Sequence, residues 1–224
     1  AGPSSLATTI RLMAGNDLVT EGFKEGQVGS SAMPHKMNTR SCERVNGLNV
    51  VLRGYMSMAS ELSGTQWNEG DVFCSVVRRV ALPGSFFALD GLLETILTVL
   101  KEFGVFKGAI KTEFDKYLPF LATTKILIAA IKKGVGREVA YDAIKKHAIA
   151  AALNMREGNS QDLVKRLSNE KSLNLTEAEL NNLISDPLSF VGLAEQQVSD
   201  VVEKVAAIVK KNPQAANYSP QAIL

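Results

Sequence analysis

Apolar residues recur along most of the chain at spacings of three and four, the repeat that gathers them on one side of an α-helix. No β-branched run flanked by turn residues shows the two-residue rhythm of a half-buried strand. The pattern predicts a first helix over 4–19, with Leu6, Ile10, Leu12 and Met13 as its apolar residues. It predicts a second over 39–62, where Val45, Leu48, Val51, Leu52, Tyr55, Met56 and Ala59 form a stripe expected to be buried. Asn38 or Thr39 is placed to cap that helix, and Ser63-Gly64 to end it. A third helix over 75–103 is apolar on more than one side, through Val76, Val77, Val80, Phe86, Phe87, Leu89, Leu92, Leu93, Ile96 and Leu100, with a kink expected at Pro83-Gly84. A helix so long and so poor in polar surface belongs inside a bundle or an oligomer core, which predicts self-association.

Beyond Gly104 the elements shorten, to helices over 111–117, 122–133, 136–157, 161–167, 176–185 and 192–211. The fold class is all-α: a long-helix bundle segment over 1–104, interrupted by a loop at 20–38, and a small all-helical domain over 105–224. The tail NPQAANYSPQAIL is rich in Pro, Asn and Gln and is expected to fray.

Composition narrows what such a bundle does. With 46% hydrophobic residues in 224, the chain can supply a substantial core. Its 25 basic and 23 acidic residues form no long block of either sign, which excludes a general nucleic-acid or membrane-surface binder, so any anion must meet a local site. No uninterrupted run of about 18 apolar residues occurs, and no membrane span is expected. Cys42 and Cys74, without a CxxC pattern, read as reduced, mostly buried thiols of a cytosolic protein. His35 and His147 lie far apart with no ligand cluster, so no metal site is expected, and His147 reads as a structural or surface residue. The opening AGPSSLATTIRLM has no initiator methionine and enters a helical pattern at once, as expected of a processed terminus or of a piece of a longer protein.

One stretch, GQVGSSAMPHKMNTRSCE at 26–43, departs from the helical pattern. Glycines at 26 and 29 and Pro34 bracket a serine pair, so the segment can open and close over a pocket. A serine accepts a proton only as an alkoxide or close to one, which requires nearby positive charge and backbone donors in a closed site. Lys36 and the positive end of the second helix supply that sign, and Lys36 with Asn38 can hold a carboxylate. Spacing alone leaves a plain alternative open: a surface loop with a capping asparagine.

The segment GSSAMPHKMNTRSCE resembles the fumarase/aspartase superfamily signature G-S-S-x-M-P-x-K-x-N-x-x-x-x-E at all eight fixed positions, and PHK together with WNEGDVFCSVVRRVALP resembles its adenylosuccinate lyase branch. The resemblance covers essentially the whole chain but corresponds to the later part of such enzymes. It implies β-elimination of fumarate from adenylosuccinate, giving AMP, and from the succinylated aminoimidazole carboxamide ribotide SAICAR, giving AICAR. It makes Ser30 the base, with Ser31 as second choice. Lys36 and Asn38 would hold the succinyl carboxylates and stabilise the carbanion, Glu43 matches the signature's closing acid, and Arg44 matches a basic substrate contact.

Ser75 and Arg79, four apart on one helix face, would contact the AMP phosphate, with Arg78 pointing elsewhere. Without the resemblance this arginine pair reads as a solvated helix face. The resemblance also implies a cytoplasmic homotetramer with no cofactor, whose active sites draw residues from three chains. Its acid is a histidine on an earlier segment, so these residues alone are expected to have little activity. His35 titrates near neutrality but stands at a position that varies in the family. Three departures stand out: Gly70 where an arginine is usual, Thr39 in place of proline, and VGLAEQQV for a Gly-Arg-Ala pattern. The rival readings are another lyase of the superfamily, of the argininosuccinate lyase or cycloisomerase kind, and a non-catalytic helical oligomerisation module.

Overall fold

Helix formation follows the apolar spacing, with boundaries shifted by a few residues. The computed structural model describes residues 1–22, 33, 36–64, 67 and 71–221. They form α1 (Gly2–Gly15), β1 (Val19–Thr20), α2 (Arg40–Ser60), α3 (Val72–Glu102), β2 (Gly104–Val105), α4 (Lys107–Leu121), α5 (Thr123–Lys132), α6 (Arg137–Arg156), α7 (Leu163–Ser168), α8 (Glu177–Ile184), α9 (Ala194–Lys211) and α10 (Pro213–Ala216), with 3₁₀ turns at Lys171–Leu173 and Pro187–Phe190. The all-α expectation holds, and the chain divides into one unit of Ala1–Ala109 with Asn217–Leu224 and another of Ile110–Ala216.

In the first unit α2 and α3 run antiparallel. Leu48 lies against Gly91, and a side chain at Gly84 would collide with the Tyr55 ring, so that glycine permits close approach of the two helices. Helix α3 continues through Pro83 and Gly84, where a kink is expected from sequence. Ala7, Ile10, Val19, Cys42, Val45, Leu92, Ile96 and Val99 make the core, all at the α2 N-terminal end of the pair.

The α2 stripe expected to be buried is therefore buried only at its start. Val45 is fully enclosed, whereas Val51 and Met56 are 44% and 67% exposed. The reason is length: α1, with 14 residues, covers only part of the 21-residue α2. On α3, Val72, Val76, Val80, Leu82, Phe86 and Phe87 are likewise exposed. By length and composition α3 is apolar enough to cross a membrane, although its apolar residues form no uninterrupted run of about 18.

A two-residue antiparallel ladder pairs Val19 with Val105 and Thr20 with Gly104, extended by Phe106 N–H donating to Leu18 O at 2.9 Å. Thr20, expected to begin the loop, belongs to this ladder. The tail is tied down rather than frayed: the Tyr218 hydroxyl and the Gln221 N–H, the latter at 2.8 Å, both donate to the Glu94 carboxylate.

In the second unit Ala122, Ile126, Ala130, Ala140, Ile144, Ala151, Leu163, Leu167, Leu173, Leu175 and Leu180 form a continuous core. Thr176 and Glu179 close a reciprocal capping box at the start of α8. His147 Nε2 lies 2.9 Å from Glu170 Oε2, the structural role expected of that histidine, and His147 leads the causes that hold the Glu170 carboxyl down at about 2. Helix α9 is amphipathic in sequence but has no buried residue.

Candidate functional site

The upstream end of the signature segment is fixed by backbone. The ladder holds residues 19–20, and Gly22, at φ +114°, packs so closely on the last turn of α3 that an added Cβ would come within 2.6 Å of Glu102 Cβ. Between them stands Glu21, 7% exposed. Its Oε1 accepts from Ser41 N–H and its Oε2 from Cys42 N–H, both at 2.8 Å. These are first-turn donors of α2, so Glu21 caps the helix from a distance. Thr39 occupies the N-cap position but makes no side-chain cap bond. Buried Cys42 has its thiol pushed up to about 12, first by burial and then by its hydrogen bond to Glu21 and that carboxylate's charge. It is an unreactive structural thiol.

At this helix start lies a cavity of about 950 Å³ whose lining includes Arg11 and Asp17 from α1 and its following turn, Lys36, Asn38 and Thr39 from the signature segment, and Glu43 from α2. Arg11 is set by Asn46. Its Nη1 donates to Asn46 Oδ1 at 2.9 Å, while the Asn46 amide donates to Ser4 O at 2.8 Å, Ser4 Oγ at 2.9 Å and Thr8 Oγ1 at 3.2 Å. Asp17 turns the chain out of α1 with φ +58°, a left-handed conformation that aspartate tolerates better than most residues. Two cations, a carboxamide and two carboxylates thus share one lining. The cations and the Asn38 amide suit a carboxylate-bearing ligand.

Lys36, Asn38 and Glu43 are brought together in this cavity, whereas Arg44, Ser75 and Arg79 do not line it. Arg44 follows Glu43 on α2 and projects about 100° away from it. Ser75 and Arg79 sit in the first turns of α3, which the antiparallel pairing sets beside the far end of α2. Arg79 and Val99 are 20 residues apart on α3, so the two ends of the hairpin are separated by about 30 Å. Near Ser75 the expected geometry is corrected: Arg78, not Arg79, reaches its Oγ, at 3.4 Å, because a residue three positions along a helix is as close as one four along. Ser30, Ser31, His35 and Gly70 lie outside the described residues. No group of three or more His, Cys, Asp or Glu side chains among the described residues is arranged to hold a metal ion.

Sequence reasoning passed over Glu21, Arg11 and Asp17. Glu21 has no local signature, because it caps a helix that begins 19 residues later, and Arg11 and Asp17 read only as parts of a helix end.

Residues 119–201 match the family described as "Adenylosuccinate lyase C-terminus". The chain is 36% identical over 201 residues to the adenylosuccinate lyase of Saccharomyces cerevisiae and 32% identical over 200 residues to that of Schizosaccharomyces pombe. Each alignment takes in 89% of this chain and 41% of the relative, so the chain spans about two fifths of the length of these curated relatives.

Proposed function

We propose, from the match of residues 119–201 to the adenylosuccinate lyase C-terminus family and the similarity to adenylosuccinate lyases over most of its length, that this chain is the later part of such a lyase. The whole protein cleaves adenylosuccinate to fumarate and AMP, and SAICAR to fumarate and AICAR. The observation that carries this reading is the convergence of Lys36, Asn38 and Glu43 on one cavity at the start of α2. In the reaction Ser30, with Ser31 beside it, takes the proton from the succinyl carbon next to the one bearing nitrogen. The electron pair left behind is stabilised through the adjacent carboxylate, which Lys36 and Asn38 hold. That pair then forms the fumarate double bond as the carbon–nitrogen bond breaks, and an acid outside these residues protonates the departing nitrogen. Glu43 closes the signature, Arg44 contacts substrate, and Ser75 and Arg79 take the AMP phosphate.

The separation of about 30 Å between the Lys36–Asn38 end and the Ser75–Arg79 end of the hairpin exceeds the length of a mononucleotide, so one copy cannot offer both to one substrate molecule. A two-fold pairing of α3 with α3 from another copy brings opposite ends together, and the exposed Phe86, Phe87, Val76 and Val80 supply the apolar face for it. This supports active sites composed from more than one copy, within the homotetramer that the resemblance implies, and it gives the apolar length of α3 a role in assembly. These 224 residues alone are then inactive, and the two free cysteines fit a cytoplasmic protein.

An ultraviolet assay of adenylosuccinate cleavage by the full-length protein, with Ser30→Ala beside it, tests the reading. The variant should lose about 10²–10⁴ in turnover. An inactive wild type would reject the assignment within the superfamily, and a fully active variant would reject Ser30 as the base.

A further inference from the structure

We infer that Glu21 is a positioning residue, a carboxylate clamp that fixes the two ends of the signature segment against each other and so sets where Lys36 and Asn38 stand in the cavity. The inference rests on the lyase reading for its kinetic consequence, and on geometry alone for the clamp itself.

Two ways exist to satisfy the first-turn N–H groups of a helix: a side chain at the N-cap, or an acceptor from elsewhere. A local cap would serve α2 equally well as a helix. Here Thr39 makes no such bond, and the two donors of Ser41 and Cys42 are taken at 2.8 Å each by a residue 20 and 21 positions upstream. The same two bonds therefore do something that a local cap cannot: they tie the first turn of α2 to the residue that follows the β1 strand. Glu21 is a fixed post for this purpose. On one side the β1–β2 ladder holds Val19 and Thr20 to Val105 and Gly104, and on the other Gly22 is pressed against Glu102. The carboxylate is buried, so water does not compete for its lone pairs. At the downstream end Lys36 and Asn38 precede the clamped turn by only a few residues, and both line the cavity.

A base and a carboxylate holder carried on one segment must keep their relative placement for proton abstraction, and a displacement of about 1 Å costs on the order of a hundredfold in rate. Glutamine at position 21 keeps the size but offers a single oxygen, and its NH₂ would face a backbone donor. Aspartate keeps the charge but falls one methylene short of both N–H groups.

The test uses the full-length protein and compares Glu21→Gln with Val45→Ala, a control that removes buried side chain from the same part of α2, both assayed well below their melting temperatures. Glu21→Gln is expected to lower kcat about tenfold to a hundredfold with a smaller change in KM, Glu21→Asp to fall between it and wild type, and Val45→Ala to keep kcat within about twofold. Unchanged kcat in Glu21→Gln, or an equal loss in Val45→Ala, would overturn the inference, since Glu21 would then be a helix cap and nothing more. A second readout needs no activity. In a Cys74→Ser background, alkylation of Cys42 in the folded protein should accelerate at least tenfold when Glu21→Gln is added, because the thiol and its own N–H lie against the same carboxylate. If wild type fails to cleave adenylosuccinate while alkylation accelerates, the lyase reading falls and with it the positioning role, and only the Glu21 hydrogen bonds to Ser41 and Cys42 stand. If alkylation does not change, the clamp falls whatever the activity.

Discussion

Replacing Phe86 and Phe87 of α3 by serine tests the proposed pairing of copies separately from folding. The two side chains are 71% and 78% exposed in the single chain, so their removal takes little from the fold of one copy. In the proposed α3 pairing they are buried. Full burial of a phenylalanine is worth about 1.5–3 kcal/mol, so the exposed share of two such residues amounts to about 2–4 kcal/mol per copy. A two-fold interface uses the patch twice, which doubles the loss to about 4–8 kcal/mol and weakens the pair by roughly a thousandfold or more. Sedimentation equilibrium on the full-length protein reads this directly, and circular dichroism with thermal melting checks that helix content is retained. The expected result is dissociation into smaller species with intact helices. A Phe86→Ser/Phe87→Ser protein that sediments as the wild type does would refute the reasoning, because the most exposed aromatic part of α3 would then lie outside any contact between copies.

Two further outcomes concern the second unit. Leu163→Ala removes a fully buried side chain from the core around Ile126, Leu167 and Leu180 and should cost about 2–5 kcal/mol in urea unfolding, while a loss below about 1 kcal/mol would contradict that packing. Glu170 is held down at about 2 by His147 and Ser172, so its contribution is present above the ordinary carboxylate range and is lost as pH falls through that range towards 2. Wild type should therefore exceed Glu170→Gln in stability by about 1 kcal/mol at neutral pH, with the gap closing near pH 2, and a gap constant over that range would refute the pairing.

Helix existence and order were legible because they depend on local spacing: the predicted 136–157, 176–185 and 192–211 correspond to α6, α8 and α9 within two residues. What escaped depends on partners distant in sequence. The β1–β2 ladder pairs residues 19–20 with 104–105 and is too short to carry an alternating pattern. Two first-turn donors of α2 are taken by Glu21 and not by the adjacent Thr39 that the sequence offers, and the tail is held by Glu94, more than a hundred residues before it. The apolar stripe of α2 is visible in sequence as a stripe, but whether a second chain or the same chain covers it is not a local property. At the candidate site the signature marked Lys36, Asn38 and Glu43, which share a cavity, while Arg11 and Asp17 join them only through the way α1 ends beside α2.

The antiparallel hairpin of α2 and α3 has a consequence for mixtures of unlike chains. Its Lys36 end and its Arg79 end are about 30 Å apart, and if they meet across copies as proposed, damage at one end and damage at the other fall in different sites when they are carried on different polypeptides. A cell holding two defective versions, one impaired at each end, would then build some assemblies in which a site collects both lesions and another collects neither. In the proposed assembly inheritance of the defect is set by subunit shuffling, and a chain's worth depends on the company it keeps.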